Sequence, residues 1–297
     1  MSHGTLPDSR SALRKKVVID FDNTMGVKGC DVDDGLALLY LLGCPNVELM
    51  GACTTFGNNT LETVHENTRR LFSRLGLKAP AYHGGANPND LDNEASAFLA
   101  RIAAESPGEI SVLATGSLTN LKGAASIDPN FFGNLAEIVV MGGVTESLVI
   151  NGRIMNELNF SCDARAAYEV LGAHCPVSVA TSQNCLPAYF LKEHFAEAFG
   201  GDAWISQTID YWFEWMSSSY EVPGFICWDT VAAAWLATPE LFDAEEMKVT
   251  LNERLLSVGY LERASKVAPQ ACINAPRIKD PEAFVAACLK SWKRALA

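Results

Sequence analysis

Positive charge is scarce in this chain. Lys and Arg total 23 against 35 Asp and Glu, leaving a formal net charge of −12. A surface of that sign repels phosphate backbones, so nucleic acid is excluded as an expected partner. No C-x-x-C pair occurs among the nine cysteines, and 297 residues do not need disulfide staples to fold. The cysteines therefore read as reduced thiols. No apolar run reaches the length of a membrane span, and Met1–Arg14 lacks the apolar core of a signal segment. The expectation is a soluble, cytoplasmic protein with no membrane partner. Internal repeats, low-complexity tracts and obvious linkers are missing as well.

What is present is material for a large core. Hydrophobic residues make up 48% of the chain and charged residues 20%. Short apolar runs alternate with helical patterns. Strands are expected at Val17–Asp22, Val47–Phe56, Pro80–Gly84, Ile110–Gly116, Glu137–Gly143 and Pro176–Thr181. Helices are expected at Asp34–Leu42, Thr60–Leu75, Glu94–Glu105, from Leu118, at Asp163–Gly172 and at Leu186–Phe199. Strands apolar on both faces and separated by helices predict an α/β fold, a mostly parallel central sheet flanked by helices. After Gly200 the pattern turns mostly helical, with a late strand at Met247–Asn252 near an edge and a closing helix at Pro281–Ala297. One domain over residues 1–297 is expected, with 1–15 as a flexible N-terminal segment.

Ligands of open parallel sheets sit at the carboxyl ends of the strands. Here those ends carry Asp20-Phe21-Asp22, Phe56-Gly57-Asn58-Asn59, Thr115-Gly116-Ser117 and Met141-Gly142-Gly143. Alternation places Asp20 and Asp22 on one side of their strand. A second acidic cluster, Asp31-Val32-Asp33-Asp34, opens the following helix. Such aspartates read singly as helix caps and dipole partners. Two clusters flanking one strand end read instead as a hard-cation shell for Ca²⁺ or Mg²⁺. Val17-Val18-Ile19-Asp20-Phe21-Asp22-Asn23-Thr24 resembles the first motif of haloacid-dehalogenase-like phosphatases, in which the first Asp is the nucleophile. It also resembles the D-x-D opening of the nucleoside hydrolases, which a D-D pair follows.

Further along, the chain resembles the nucleoside hydrolase family at each step. Phe56-Gly57-Asn58 is similar to its Gly-Asn turn, and Thr115-Gly116-Ser117-Leu118-Thr119-Asn120 to its T-G-x-L-T-N segment. Val140-Met141-Gly142-Gly143 is similar to its M-G-G strand end. Glu157-Leu158-Asn159, Asp163 with Ala166-Ala167, and Trp228-Asp229 before Pro239-Glu240-Leu241-Phe242 complete the ordered set. The phosphatases need a lysine before a late strand-end acidic pair, and no such late pair is found.

The resemblance implies a Rossmann-like fold and calcium-dependent hydrolysis of ribonucleosides, small-molecule substrates, by a homodimer or homotetramer. It makes Asp22 the general base and a metal contact, and Asp34, Thr115 and Asp229 further calcium ligands. Ribose would be held by Asp33, Asn58, Met141, Asn151, Glu157, Asn159 and Asp229, with Asp20 in support. The implied chemistry is coherent: an oxocarbenium-like ribosyl cation, a cation that lowers the pKa of bound water, and a carboxylate that takes its proton.

Two departures stand out. The family has a much shorter gap than Asn23–Val32 between its second Asp and its Asp pair, so this loop must bulge while both ends converge. Asp31 competes with Asp33 for one role. The family's histidine before the late Asp is replaced by Trp228, which implies its purine-preferring branch, with the indole stacking on the base. Core packing is the competing reading of Trp228; Tyr211, Trp212, Phe213 and Trp215 offer a second stacking face, although their helical spacing makes core packing the stronger reading for most of them. His83 is a lesser pocket candidate. Thr119 and Asn120 read as cap and turn residues, Gly142 and Gly143 as backbone devices, and Asn58 and Asn151-Gly152 as possible turns. A non-catalytic riboside binder is the remaining alternative.

Overall fold

The computed structural model of the protein describes residues 14–264 and 270–297. A nine-stranded sheet runs through it. Its strands are β1 (Lys15–Phe21), β2 (Val47–Thr54), β3 (Ala81–Tyr82), β4 (Ile110–Ala114), β5 (Glu137–Met141), β6 (Val177–Ala180), β7 (Glu246–Thr250), β8 (Glu262–Arg263) and β9 (Ala271–Asn274). The order across the sheet is β8-β7-β9-β6-β5-β4-β1-β2-β3. All pairings from β3 to β9 are parallel, and β7 runs antiparallel to both of its neighbours.

The helices that matter for the site are α1 (Asp33–Gly43), α2 (Leu61–Arg74), α3 (Glu94–Glu105), α4 (Thr119–Ile127), α5 (Ala164–Leu171), α6 (Lys192–Phe199), α7 (Ala203–Tyr220), α8 (Trp228–Ala237) and α9 (Pro281–Ala295). Strand alternation divides the core between two layers. Val17, Ile19, Phe21, Leu113 and Val139 pack with α1, α8 and α9 on one face. Val18, Val112, Ala114, Ile138 and Val140 pack with α3, α4 and α5 on the other.

The chain leaves β1 toward β2 and β3, then returns to the far side of β1 with β4. That reversal opens a crevice at the carboxyl ends of β1 and β4. Asp20 and Asp22 lie at the end of β1, and Thr115 follows β4, its amide donating to the Asp20 carbonyl at 2.8 Å.

Some sequence expectations need correction. Lys15 belongs to β1 rather than to a flexible segment, because its ammonium is held by Glu137 at 2.7 Å and its backbone pairs with β2. The rest of that expectation, residues 1–13, lies outside the described residues. A single helix over Leu186–Phe199 does not form. Pro187 interrupts it, and Tyr189–Leu191 pairs antiparallel with Gly224–Ile226 before α6 begins. The C-terminal third is less helical than its composition suggests, since β7, β8 and β9 extend the sheet there.

Helix α1 carries the acidic pair at its first turn and is apolar all round, so it must be enclosed. It is, by α8 and α9. The Trp292 indole donates to the Leu36 carbonyl at 2.9 Å, and the Ser291 hydroxyl to the Tyr40 carbonyl at 2.7 Å. At Gly43 an added Cβ would stand 1.9 Å from the Ser291 backbone oxygen. Gly43→Ala is therefore expected to cost about 1–3 kcal/mol through overpacking. Gly201→Ala, where nothing lies within 4 Å of the added Cβ, serves as the control. Urea unfolding of both variants checks this; equal midpoints would rule out the close α1–α9 contact.

Candidate active site

Two helix N-termini meet at the crevice. Helix α1 begins with Asp33-Asp34, and α8 begins with Trp228-Asp229. The unpaired N–H groups and positive dipole end of each helix favour carboxylates in the first turn. Carboxylate oxygens of Asp33, Asp34 and Asp229 lie within 4.8 Å of one another. The Asp229 amide donates to Asp33 Oδ2 at 3.4 Å, which ties the two helix starts together.

Asp22 joins this cluster from the end of β1. Its Oδ2 accepts the Asn58 amide at 2.5 Å. The Asn58 side-chain Nδ2 then bridges Asp22 Oδ1 at 3.2 Å and Asp34 Oδ2 at 3.3 Å. Thr115 Oγ1 donates to Asp34 Oδ1 at 2.7 Å. Gly57 lets the turn come this close, because a Cβ there would stand 1.9 Å from Asp22 Oδ2.

The long loop after Asp22 is folded back on itself. Asn67 donates to the Asn23 and Met25 carbonyls at 3.2 and 3.0 Å, and Thr24 Oγ1 donates to the Asp31 carbonyl at 2.8 Å. Both ends of the bulge thus reach one place. Asp33 takes the position beside Asp34 and Asp229. Asp31 Oδ1 accepts the Val32 and Asp33 amides at 2.6 and 3.2 Å, so it caps the start of α1.

Asp20 sits apart. Its Oδ2 accepts from Asn120 Nδ2 at 2.8 Å, and its buried Oδ1 has no partner. Asn120 is a cross-link rather than a turn residue: it also donates to the Thr54 carbonyl at 3.1 Å and accepts the Gly85 amide at 2.8 Å. Thr119, likewise, bonds the Asp163 carboxylate at 2.8 Å instead of serving as a cap.

Burial is the first cause that raises the carboxyls of Asp20, Asp22 and Asp33 to about 7. Asp34 and Asp229 are raised well above the ordinary range, first by burial and then by Asp22 and Asp33 respectively. Among the described residues no Lys, Arg or His pairs with any of these groups. All the donors are hard oxygens, and they are crowded without a countercharge. That set suits a hard divalent cation of the Ca²⁺ or Mg²⁺ type.

Above the cluster lies a cavity of about 360 Å³. Asp33, Asn58, Thr115, Met141, Glu157, Asn159, Trp228 and Asp229 line it, as does Asp31. Asp22 and Asp34 are not in the lining; Asn58, which is, bonds both, and Thr115 bonds Asp34. Asn159 Nδ2 donates to the Met141 carbonyl at 3.0 Å. Glu157, raised by burial to about 7, accepts the Gly143, Phe160 and Ser161 amides. Asn151 is not in the lining. It sits exposed at a hairpin tip in the left-handed region, φ 46°, and donates to the Tyr220 carbonyl at 2.9 Å. His83 faces His65, ring centroids 5.0 Å apart, away from the cavity.

The far wall is aromatic. Trp212, Trp215 and Met216 line it from α7, with Tyr220, Phe225 and Trp228. The spacing that reads as core packing in the sequence places Trp212, Trp215 and Met216 on one helix face, and that face borders the cavity. Tyr211 and Phe213 do not line it.

A family model described as inosine-uridine preferring nucleoside hydrolase matches residues 17–285. A probable uridine nucleosidase 2 of Arabidopsis thaliana is 30% identical over 272 residues, 78% of this chain and 80% of its own. The inosine-uridine preferring nucleoside hydrolase of Crithidia fasciculata is 22% identical over 274 residues, 81% of this chain and 84% of its own. Among solved structures, a plant nucleoside hydrolase superposes with TM-score 0.82 at 18% identity, covering 94% of this chain and 99% of that one. A purine-preferring ribonucleoside hydrolase from Gardnerella vaginalis gives 0.80 at 19% identity, covering 95% and 99%.

The raised carboxyls give a signed prediction. A carboxyl whose folded pKa lies above its unfolded value of about 3.8 stabilises the metal-free fold at low pH, and that stability is lost as pH rises through about 7. Chelated protein should therefore lose thermal stability between pH 4 and pH 8. Added Ca²⁺ should raise Tm more at pH 8 than at pH 5, because the ion competes with protons for the same oxygens. Thermal melts at both pH values decide it; a Ca²⁺ shift independent of pH would count against the cluster as the binding site.

Proposed function

The chain belongs to the nucleoside hydrolase family, whose members are ribonucleoside N-ribohydrolases, and on that premise we propose calcium-dependent cleavage of purine ribonucleosides to ribose and free base. The observation that carries the reading is the convergence of Asp33, Asp34 and Asp229 beneath a cavity of nucleoside size. Asp22, Asp34, Thr115 and Asp229 would hold the ion. When bound, a hard divalent cation supplies a polarised water and charge neutralisation for this cluster.

The protein's own groups do the rest. Asp22 is positioned to take the proton from water, with its Oδ2 fixed by the Asn58 amide. Asp33 and Asp229 face the cavity and accept ribose hydroxyls. Glu157 and Asn159 border the other side of the sugar. Carboxylates on both sides stabilise positive charge developing at the anomeric carbon. Trp228 supports a purine preference, since it lines the cavity beside Asp229 and offers an indole to a base. The phosphatase alternative is set aside by the family match over residues 17–285. A homodimer or homotetramer and a role in purine salvage rest on the resemblance, and a cytoplasmic location on the reading of the cysteines as reduced thiols.

The test is free-base release from inosine, adenosine, guanosine, uridine and cytidine. Release should be fastest from the purine ribosides and abolished by chelator. Asp22→Ala should lower kcat by about 10²–10⁴-fold, the usual contribution of a general base. Trp228→Ala should lower the purine-to-pyrimidine ratio of kcat/KM. Fastest release from uridine would sink the purine preference, and unchanged turnover by Asp22→Ala would sink the assigned base.

A further inference from the structure

The cavity lining combines two unlike sets of side chains: the carboxyls of Asp31, Asp33, Asp229 and Glu157, and the aromatic rings of Trp212, Trp215, Tyr220 and Trp228. Trp212 and Trp215 are stacked face to face, centroids 4.5 Å apart at 6°, and Tyr220 leans against Trp215 at 5.9 Å. Trp215 keeps 37% of its surface exposed, so its outer face is open to a ligand. The loop bearing Asp31 lies against the same helix, with the Lys28 ammonium over the Tyr211 ring at 5.3 Å. Asp31 adds a further carboxyl to the cavity lining. Indole and phenol faces beside carboxylates form the environment that attracts an organic cation. Among the described residues the lining holds no Lys, Arg or His to oppose one.

Resting on the reading that this cavity takes ribosides, we propose that its preferred substrates are ribosides whose base already carries a positive charge, such as N-alkylated purine or pyridinium ribosides. The bond balance favours them. Water attacks the anomeric carbon, and the bond to the base nitrogen breaks with its electron pair going to the base. A cationic base leaves neutral, and the water's proton passes to Asp22 and then to solvent. A neutral base would leave as an anion and need a proton from the site. Charge on the base substitutes for a proton donor, since no His or Lys lines the cavity among the described residues.

The measurement compares kcat/KM for 7-methylguanosine and nicotinamide riboside with guanosine and inosine, each corrected for its spontaneous hydrolysis. A second readout avoids bond lability altogether: inhibition, by 1-methylnicotinamide and by neutral nicotinamide, of whichever riboside is cleaved fastest. The cation should inhibit at least about tenfold more tightly, the scale of a desolvated cation–π contact. Trp215→Leu should remove most of that difference, and Asp31→Asn, which keeps the capping oxygen, should reduce it. Faster cleavage of neutral ribosides with equal inhibition by both probes overturns the inference and leaves the hydrolase reading standing. No base release from any riboside, charged or neutral, overturns both.

Discussion

Carboxylate repulsion is the constraint around which this molecule is built. Asp22, Asp33, Asp34 and Asp229 are all nearly or completely buried, and three of them bring oxygens within 4.8 Å of one another. At about 4 Å and an effective dielectric near 20, each like-charged pair costs about 4 kcal/mol. No ion pair offsets this among the described residues. The fold supplies partial compensation in several forms: two helix N-termini, the Asn58 bridge between Asp22 and Asp34, and the Thr115 hydroxyl on Asp34. These donors orient the carboxylates more than they neutralise them. A cluster so oriented and so short of positive charge is built to hold a cation.

The rest of the architecture follows from keeping those groups together. The reversal of chain direction beside β1 sets Thr115 against the end of that strand, its amide on the Asp20 carbonyl and its hydroxyl on Asp34. Enclosure of α1 by α8 and α9 fixes where both acidic helix starts point. Asn120 ties the ends of β1 and β2 to Gly85, and the Gly85 carbonyl accepts the Phe56 amide at 3.3 Å. That chain of bonds steadies the turn carrying Asn58. A residue that touches no ligand therefore still governs the geometry of those that do.

Much of this was legible in the sequence, for a physical reason. Strands buried on both faces leave an unbroken apolar run, and polar residues at their carboxyl ends mark the crevice. The acidic clusters, Asn58 and Thr115 were visible that way, and Asp229 only through the family resemblance. What remained illegible depended on contacts between distant segments. The pairing of Tyr189–Leu191 with Gly224–Ile226 overrode a helical pattern, and β8 and β9 are too short to announce themselves. Asn120 reads locally as a turn residue, and only the return of β4 beside β1 gives it three partners. The α7 aromatics have the periodicity of a core face, and nothing local says that this face borders a cavity.

The two kinds of lining side chain would divide the chemical burden of the proposed reaction unevenly. Carboxylates and amide oxygens would stabilise a ribosyl cation as it forms. The indoles, phenol and thioethers of the lining bind area and positive charge but do not deliver protons readily at neutral pH. Cleavage of the proposed kind would therefore be driven from the sugar, with the base leaving on its own merits. That division would account for an acidic set larger than one divalent ion requires. A bound ion would offset part of the negative charge, and the remainder would match the positive charge that appears at the anomeric carbon in the transition state.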